Sequence, residues 1–204
     1  SINDSDTKKR VVLMVSKESH CLADLLHRWL TKELDAEIVA VISNHDDLRR
    51  MVEWHDIPYH HVPVDAKDKA PAFAEVNRLV ESYQTDLVVL ARYMQILPAE
   101  ICKKYSGRVI NIHHSFLPSF AGAKPYHQAY DRGVKLIGAT CHYVTQDLDE
   151  GPILDQDVIR ISHSDSIEDM VRLGRDAEKN VLARGLRLHL EDRVIIHENK
   201  TVVF

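Results

Sequence analysis

The sequence predicts an α/β fold built on a mostly parallel, twisted sheet with helices on both of its faces. Short apolar runs, such as RVVLMV at residues 10–15, suit strands that are buried on both faces, as parallel sheets require. Stretches with an apolar stripe at helical spacing alternate with these runs, which is the pattern of doubly wound, Rossmann-like proteins. The 204 residues suffice for one domain with a single core.

The individual elements follow from the period of the apolar residues. Apolar runs or period-two alternation predict strands at residues 10–15, 37–43, 59–64, 87–91, 109–113, 136–144 and 153–161. Helical spacing predicts helices at residues 22–34, 46–54, 73–83, 125–132 and 166–190. Gly133 should end the fourth helix, and Ser166 with Asp169 has the spacing of a capping box. The tail should form a hairpin around Glu198-Asn199-Lys200.

The composition limits the kinds of partner. The formal net charge is -5, and no cluster of Lys or Arg is present, so neither nucleic acid nor an anionic membrane is expected as a partner. No apolar run approaches the roughly 18 residues of a membrane span, and the polar residues 1–9 lack the apolar core of a signal peptide. We therefore expect a small-molecule ligand, a linker at residues 1–9 and one globular domain at residues 10–204, which the resemblance described below implies to be a catalytic domain.

The cysteines indicate a reducing compartment. Cys21, Cys102 and Cys141 are odd in number, distant from one another and outside any CxxC motif, so neither a disulfide framework nor a zinc knuckle is expected. A cytoplasmic location fits best. Cys141 is followed directly by His142, but adjacent residues of a strand face apart, so this pair cannot make the hydrogen bond that activates a thiol. Cys141 should therefore serve packing.

The segment RVINIHHSFLPSF at residues 108–120 contains the first candidate site residues. Asn111 and His113 are two positions apart on a predicted strand, so their side chains leave the same face near the strand's carboxyl end. An amide and an imidazole aimed at one point could stabilise a developing oxyanion. The alternative is that both groups only cap the strand or satisfy the backbone of the following loop.

A second segment, TCHYVTQDLDEGP at residues 140–152, strengthens the catalytic interpretation. A strand that ends near Val144 leads into residues 145–152, the acidic loop, which contains Asp147, Asp149 and Glu150. A carboxylate close to His113 would orient the ring and favour its protonated form. A metal site built from some of His113, His114, His142 and Asp149 is the alternative, but HExxH and related spacings are absent. The pair His60-His61 should be structural, since its two rings face apart.

These two segments resemble the formyltransferase fold family, which uses 10-formyltetrahydrofolate. The resemblance lies in N-I-H-x-S-x-L-P-S-F followed about thirty residues later by H-Y-V-T-x-x-L-D-x-G-P, and it extends over residues 9–204. The sequence F-x-G-A-K-P-Y-H-Q-A-Y at residues 120–130 is similar to the deformylase branch of that family. Deformylases of this kind carry an ACT-type regulatory domain before the catalytic domain, and no segment here matches that domain.

The resemblance implies hydrolysis of 10-formyltetrahydrofolate to tetrahydrofolate and formate, which supplies one-carbon units for purine synthesis. It assigns catalysis to Asn111, His113 and Asp149, without a metal or a further cofactor. The residues it assigns to folate binding are Met94, Gln95, Ile96, Leu97, Thr145, Gln146 and Asp147. The residues it assigns to a supporting role are His142, Ser115 and Lys124. We also expect a homo-oligomer. Without the resemblance, the loop at residues 92–98 reads as an ordinary strand-to-helix connection.

The loop SKESH at residues 16–20 bears on which molecule accepts the formyl group. It contains no glycine, and close approach of a backbone to phosphate normally requires glycine. In the transformylase branch, the corresponding loop contains glycine and holds the phosphate of glycinamide ribonucleotide. Water is therefore the expected acceptor. Formyl transfer to an amine stays open as an alternative, as does a folate-binding or regulatory module without catalytic activity.

Overall fold

The structure is a computed structural model that describes residues 7–119 and 124–204. The remaining positions, residues 1–6 and 120–123, include most of the predicted linker and the start of the deformylase-like motif, so those predictions lie outside the described residues. The chain divides into two compact units, Ser1–Val109 and Ile110–Phe204. Each unit is described by itself below.

Over residues 7–109, the first unit contains four parallel strands in the order β3-β2-β1-β4. These strands are β1 (Lys9–Val15), β2 (Ala36–Ser43), β3 (Tyr59–His61) and β4 (Leu87–Leu90). Four helices alternate with them or follow them: α1 (His20–Leu30), α2 (Arg49–Glu53), α3 (Ala70–Ser82) and α4 (Ala99–Lys104). All residues of β4 and the last five of β1 are buried. The prediction of strands buried on both faces is therefore confirmed here.

Several predicted boundaries in this unit were wrong for local reasons. Helix α1 ends at Leu30 rather than at residue 34, because the chain turns into the left-handed region at Lys32, with φ of 63°. Helix α2 begins at Arg49, three residues later than predicted. Strand β3 ends at His61, since Pro63 has no N–H to continue the ladder. Helix α4 was not predicted, because its six residues bury only Cys102 and show no apolar period.

In the described residues of the second unit, three neighbouring antiparallel strands are accompanied by two helices and a two-stranded hairpin. The strands are β5 (Val109–His113), whose first residue closes the first unit, β6 (Leu136–Tyr143) and β7 (Ile153–Arg160). The other elements are α5 (Pro125–Arg132), α6 (Ile167–Leu190), β8 (Val194–His197) and β9 (Lys200–Val203). Helix α6 packs on β6 and β7, and the predicted capping box at its start is present. Strands β8 and β9 form the predicted hairpin.

The predicted α/β class is confirmed, with parallel pairing among β1 to β4 and antiparallel pairing among β5 to β7 and in the hairpin. The predicted structural role of His60 and His61 agrees with their surroundings: Nε2 of His60 lies 2.8 Å from the hydroxyl of Tyr83, and His61 is exposed. Within the described ranges, no helix is both long and apolar enough to cross a membrane.

Candidate functional site

The register of β5 against β6 places Asn111 beside His142. The two residues are direct cross-strand partners, and His113 is opposite Thr140 in the same ladder. Cross-strand partners share a face of the sheet, so the side chains of Asn111 and His142 meet. Nδ2 of Asn111 lies 3.1 Å from Nε2 of His142. A register shift between β6 and β7 at Cys141/His142 is a further local irregularity, of the kind that re-aims side chains next to active sites.

The carboxylate of Asp149 reaches both histidines. Its Oδ2 lies 3.4 Å from Nδ1 of His113, and its Oδ1 lies 3.8 Å from Nε2 of His142. The side chains of His113 and Asp149 are 7% and 10% exposed, so solvent screens their interaction only weakly. The structure therefore brings together the three residues predicted to be catalytic, and adds His142 to them.

The acidic loop holds Asp149 in an unusual backbone conformation. Asp149 has φ of 57°, in the left-handed region, which aspartate adopts more readily than most residues. Gly151 packs so closely on the end of β6 that a Cβ there would lie 1.8 Å from the carbonyl oxygen of Tyr143. The N–H of Tyr143 donates to the carbonyl of Pro152 over 2.9 Å. Only glycine therefore fits at position 151 with the loop in this place.

The hairpin of β8 and β9 also contacts the acidic loop. The side-chain amide of Asn199, in the hairpin turn, donates to the carbonyl of Glu150 over 2.9 Å. Thr201 donates from its hydroxyl to the carbonyl of Ile153 at 2.5 Å. The residue after Asp149 is thus tied to the last element of the chain, a contact that the sequence pattern did not indicate.

A buried polar network fixes the turn that follows His113. The hydroxyl of Thr140 donates to the carbonyl of Ser115 at 2.8 Å and accepts from the N–H of Leu117 at 3.0 Å. The side-chain amide of Gln156 donates to both this hydroxyl and the carbonyl of Leu117. Sequence reasoning missed Thr140 and Gln156. Thr140 could have been found, because it precedes His142 by two positions and so shares its face of β6.

The surroundings of His142 keep its ring neutral. Its Nδ1 lies 3.0 Å from the carbonyl oxygen of Tyr143, and the residue is 2% exposed. Burial lowers the pKa of His142; the Tyr143 carbonyl and the Asp149 carboxylate oppose this lowering, and His113 adds to it. The net effect is a pKa below the ordinary value for histidine. His142 is therefore suited to accepting a hydrogen bond at Nε2.

Cys141 faces away from this site, as predicted from its place next to His142. It is fully buried, and a Cβ built on Gly185 of α6 would lie 2.5 Å from its Sγ. Burial raises the pKa of the Cys141 thiol, which disfavours the thiolate that a nucleophile requires. Cys141 is a packing residue between β6 and α6.

The other predicted site residues take varied positions. Ser115 is buried and donates to the carbonyl of Ser119, and the exposed Lys124 precedes α5 in the left-handed region. Three predicted folate contacts belong to the acidic loop, where the hydroxyl of Thr145 donates to the carbonyl of Asp147 and Gln146 is exposed. The part played by these residues in binding stays a prediction.

The remaining predicted folate contacts, Met94 to Leu97, belong to the first unit and follow β4. Met94 and Ile96 are 54% and 61% exposed, whereas Leu97 is buried. The N–H of Met94 donates to the hydroxyl of Ser16, which in turn donates to Oδ1 of the Asn44 side chain. Two large apolar side chains are thus held at the surface by an anchored backbone, as a ligand-binding loop requires, although their role also stays a prediction.

The predicted catalytic residues are not arranged as a set of metal ligands. Among the described residues, the side chains of His113, His142 and Asp149 do not bring three ligand atoms within 4.8 Å of one another. The carboxylate oxygens of Asp149 lie 3.4 and 3.8 Å from the imidazole nitrogens, which suits charge pairing. Small movements of the side chains would bring the same atoms within hydrogen-bonding distance. The site offers two imidazoles and a carboxylate for acid-base chemistry and an amide for hydrogen bonding.

Comparisons with known proteins find relatives that match most of this chain. Residues 9–186 match the family model described as formyl transferase. A formyltetrahydrofolate deformylase from Bacillus subtilis is 54% identical over 196 residues, which cover 96% of this chain and 65% of that protein. The crystal structure of a formyltetrahydrofolate deformylase from Pseudomonas syringae is 76% identical with a TM-score of 0.97, over 98% of this chain and 67% of that one. This chain thus spans about two thirds of the length of these two relatives.

A transformylase has a similar structure but a lower sequence identity. The structure of glycinamide ribonucleotide transformylase 1 from Symbiobacterium toebii is 28% identical with a TM-score of 0.91, over 97% of this chain and 94% of that one. The fold is therefore shared by proteins of both names, and the identity is higher with those named as deformylases.

Proposed function

We propose that this chain, which belongs to the formyl transferase family, hydrolyses 10-formyltetrahydrofolate to tetrahydrofolate and formate. The observation that supports the proposal most directly is the pairing of His113 with Asp149 at 3.4 Å, with His113 on the same strand as Asn111. The identity of 76% and 54% to proteins named formyltetrahydrofolate deformylase supports the choice of substrate.

The residues divide the chemistry among them. Water adds to the formyl carbon, and the oxyanion that develops accepts hydrogen bonds from the Asn111 amide and the His113 imidazolium. Asp149 favours the charged form of His113 through the short distance to its Nδ1, and takes part in removing the proton from the attacking water. The C–N10 bond then breaks as N10 of the folate receives a proton. Formate and tetrahydrofolate leave, and the net reaction consumes one water.

Water, rather than a phosphorylated amine, is the acceptor that the loop at residues 16–20 favours. Ser16 is buried, and its hydroxyl already donates to Asn44 and accepts from Met94. Glu18 lies 3.7 Å from Nδ1 of His20 and adds negative charge at the start of α1. Negative charge and bulky side chains both oppose a phosphate there. Formyl transfer to an amine without phosphate stays the second candidate, favoured by the fold shared with the transformylase.

The proposal extends to the surroundings of the reaction. The charge stabilisation described needs no metal and no cofactor beyond the folate substrate. We place the reaction in the cytoplasm, because Cys21, Cys102 and Cys141 are buried thiols outside any disulfide, which suits a reducing compartment. The proposal includes assembly into a homo-oligomer. It also includes folate contacts by residues of two loops, which are Met94, Gln95, Ile96, Leu97, Thr145, Gln146 and Asp147. Kinetics of single alanine variants and analytical ultracentrifugation test them.

One experiment tests the reaction itself. The protein is incubated with 10-formyltetrahydrofolate, with and without glycinamide ribonucleotide, and formate, tetrahydrofolate and formylated nucleotide are measured. We expect formate at the same rate in both samples, no formylated nucleotide, and full activity after dialysis against a chelator. Formylated nucleotide as the major product would establish the transferase alternative. Loss of activity on chelation that zinc restores would establish a metal hydrolase, and folate binding without turnover would establish a binding module.

A further inference from the structure

We propose that His142 is a positioning residue that determines which way the amide of Asn111 faces. In this inference His142 is the neutral tautomer with its proton on Nδ1, and its Nε2 accepts a hydrogen bond from Nδ2 of Asn111. The kinetic consequence rests on the hydrolysis proposed above, whereas the tautomer and the hydrogen bond do not.

The tautomer follows from the partner of Nδ1. The carbonyl oxygen of Tyr143, 3.0 Å away, can only accept a hydrogen bond, so the ring must carry a proton on Nδ1 to donate to it. This carbonyl is itself held in place, because the N–H of Tyr143 donates to Pro152 and Gly151 packs against the carbonyl oxygen. A neutral ring protonated at Nδ1 has a lone pair on Nε2.

The lone pair on Nε2 then selects the orientation of Asn111. An amide presents either its NH₂ group or its oxygen to a neighbour, and the oxygen would meet the Nε2 lone pair with repulsion at 3.1 Å. The NH₂ group therefore faces His142, and its second N–H stays as a donor on the same side of the amide. A flipped amide would place its carbonyl oxygen there, and that oxygen would repel a developing oxyanion.

The charged groups around His142 act on this arrangement in opposite directions. Asp149, with Oδ1 3.8 Å from Nε2, favours a proton on Nε2, whereas His113 and burial at 2% exposure disfavour a second charge on the ring. A doubly protonated ring would donate from Nε2 and would turn the amide oxygen of Asn111 toward itself. Neutrality of His142 is thus part of what keeps Asn111 a donor.

Two substitutions of His142 separate positioning from packing. In His142→Gln the side-chain amide reaches the place of Nε2 and can accept from Asn111. In His142→Asn the shorter amide reaches only the place of Nδ1 and can bond only to Tyr143. We expect His142→Asn to lower kcat by about tenfold or more with little change in KM, and His142→Gln to recover most of that loss. Asn111→Ala serves as the comparison, because adding His142→Asn to it should lower kcat little further.

Nuclear magnetic resonance of the protein with ¹⁵N-labelled histidine gives a readout that needs no turnover. The ring signals of His142 are identified by their loss in His142→Gln. We expect a protonated Nδ1 and an unprotonated Nε2 at neutral pH, and a shift of the Nε2 signal in Asn111→Ala when its hydrogen bond is lost. This result in a protein that releases no formate would support the positioning of Asn111 and refute the proposed function.

The opposite findings would overturn the inference. A proton on Nε2 of His142 at neutral pH excludes the hydrogen bond from Asn111, whatever the activity of the protein. Wild-type kcat in a folded His142→Asn variant, or equal losses in His142→Asn and His142→Gln, would show that the acceptor at Nε2 does not act on the reaction.

Discussion

Replacement of Gly151 by alanine should displace the acidic loop and reduce turnover sharply. The added Cβ would lie 1.8 Å from the carbonyl oxygen of Tyr143 and 2.9 Å from its carbonyl carbon. Carbon and oxygen atoms that are not bonded to each other approach to about 3.3 Å, so the loop must move by about 1.5 Å. The two sides of this contact are both connected to the site. Asp149 lies two residues before Gly151, and the Tyr143 carbonyl accepts a hydrogen bond from His142.

The size of the effect follows from this displacement. A shift of about 1 Å in a catalytic group can cost about 100-fold in rate, so kcat of Gly151→Ala should fall by about two orders of magnitude. The same clash should lower the free energy of unfolding by about 1 to 3 kcal/mol, as overpacking does elsewhere. Formate release under saturating substrate measures the first quantity, and urea unfolding measures the second.

Gly133→Ala is the matched control for Gly151→Ala. Gly133 has φ of 67°, so alanine there is strained, yet its Cβ would meet no atom within 4 Å. It should cost about 1 to 2 kcal/mol of stability with kcat unchanged. Wild-type turnover in Gly151→Ala, or an equal fall of kcat in both variants, would refute the reasoning that the loop contact positions Asp149.

Three further predictions concern the same site. In the proposed mechanism His113 and Asp149, whose side chains lie 3.4 Å apart, act as a pair, so His113→Ala and Asp149→Asn should each reduce kcat severely. The double variant should then be barely worse than the worse single one, and additive losses in steady-state kinetics would show separate roles. Asn199→Ala should lower kcat about fivefold, as expected for a lost hydrogen bond of about 1 kcal/mol to the acidic loop. Lys200→Ala, at the neighbouring first residue of β9, should leave kcat unchanged, and equal kcat in the two variants would contradict a role for the Asn199 hydrogen bond. Since the folded state lowers the pKa of His142, the unfolded chain binds that proton more readily, so the free energy of unfolding should fall as the pH drops below about 6.5. Urea unfolding at pH 7.5 and 5.5 measures this free energy. Between the two pH values it should fall less in His142→Gln than in the wild type, by up to about 1.4 kcal/mol per pH unit. Equal falls in the two proteins would mean that His142 is protonated in the folded protein.

Local patterns were sufficient for the elements with a clear apolar period. The buried runs of β1, β2 and β4, the 24-residue helix α6 and the hairpin were predicted within a few residues of their observed bounds. Elements were missed or misjudged where a short segment lacks such a period. Helix α4 has six residues, and α2 has five. In these cases the ends depend on turns and contacts with distant residues rather than on the segment itself.

The sequence alone determined the α/β class and the candidates Asn111, His113 and Asp149, because strand periodicity places alternate residues on one face and the motif order is local information. Only the tertiary structure decided that His142 is the direct partner of Asn111, since antiparallel register is set by the pairing of β5 with β6. It likewise decided that Thr140 and Gln156 hold the turn after His113, and that Asn199 braces the acidic loop from 49 residues away. Such contacts join residues that are remote along the chain, so no local period or spacing can specify them.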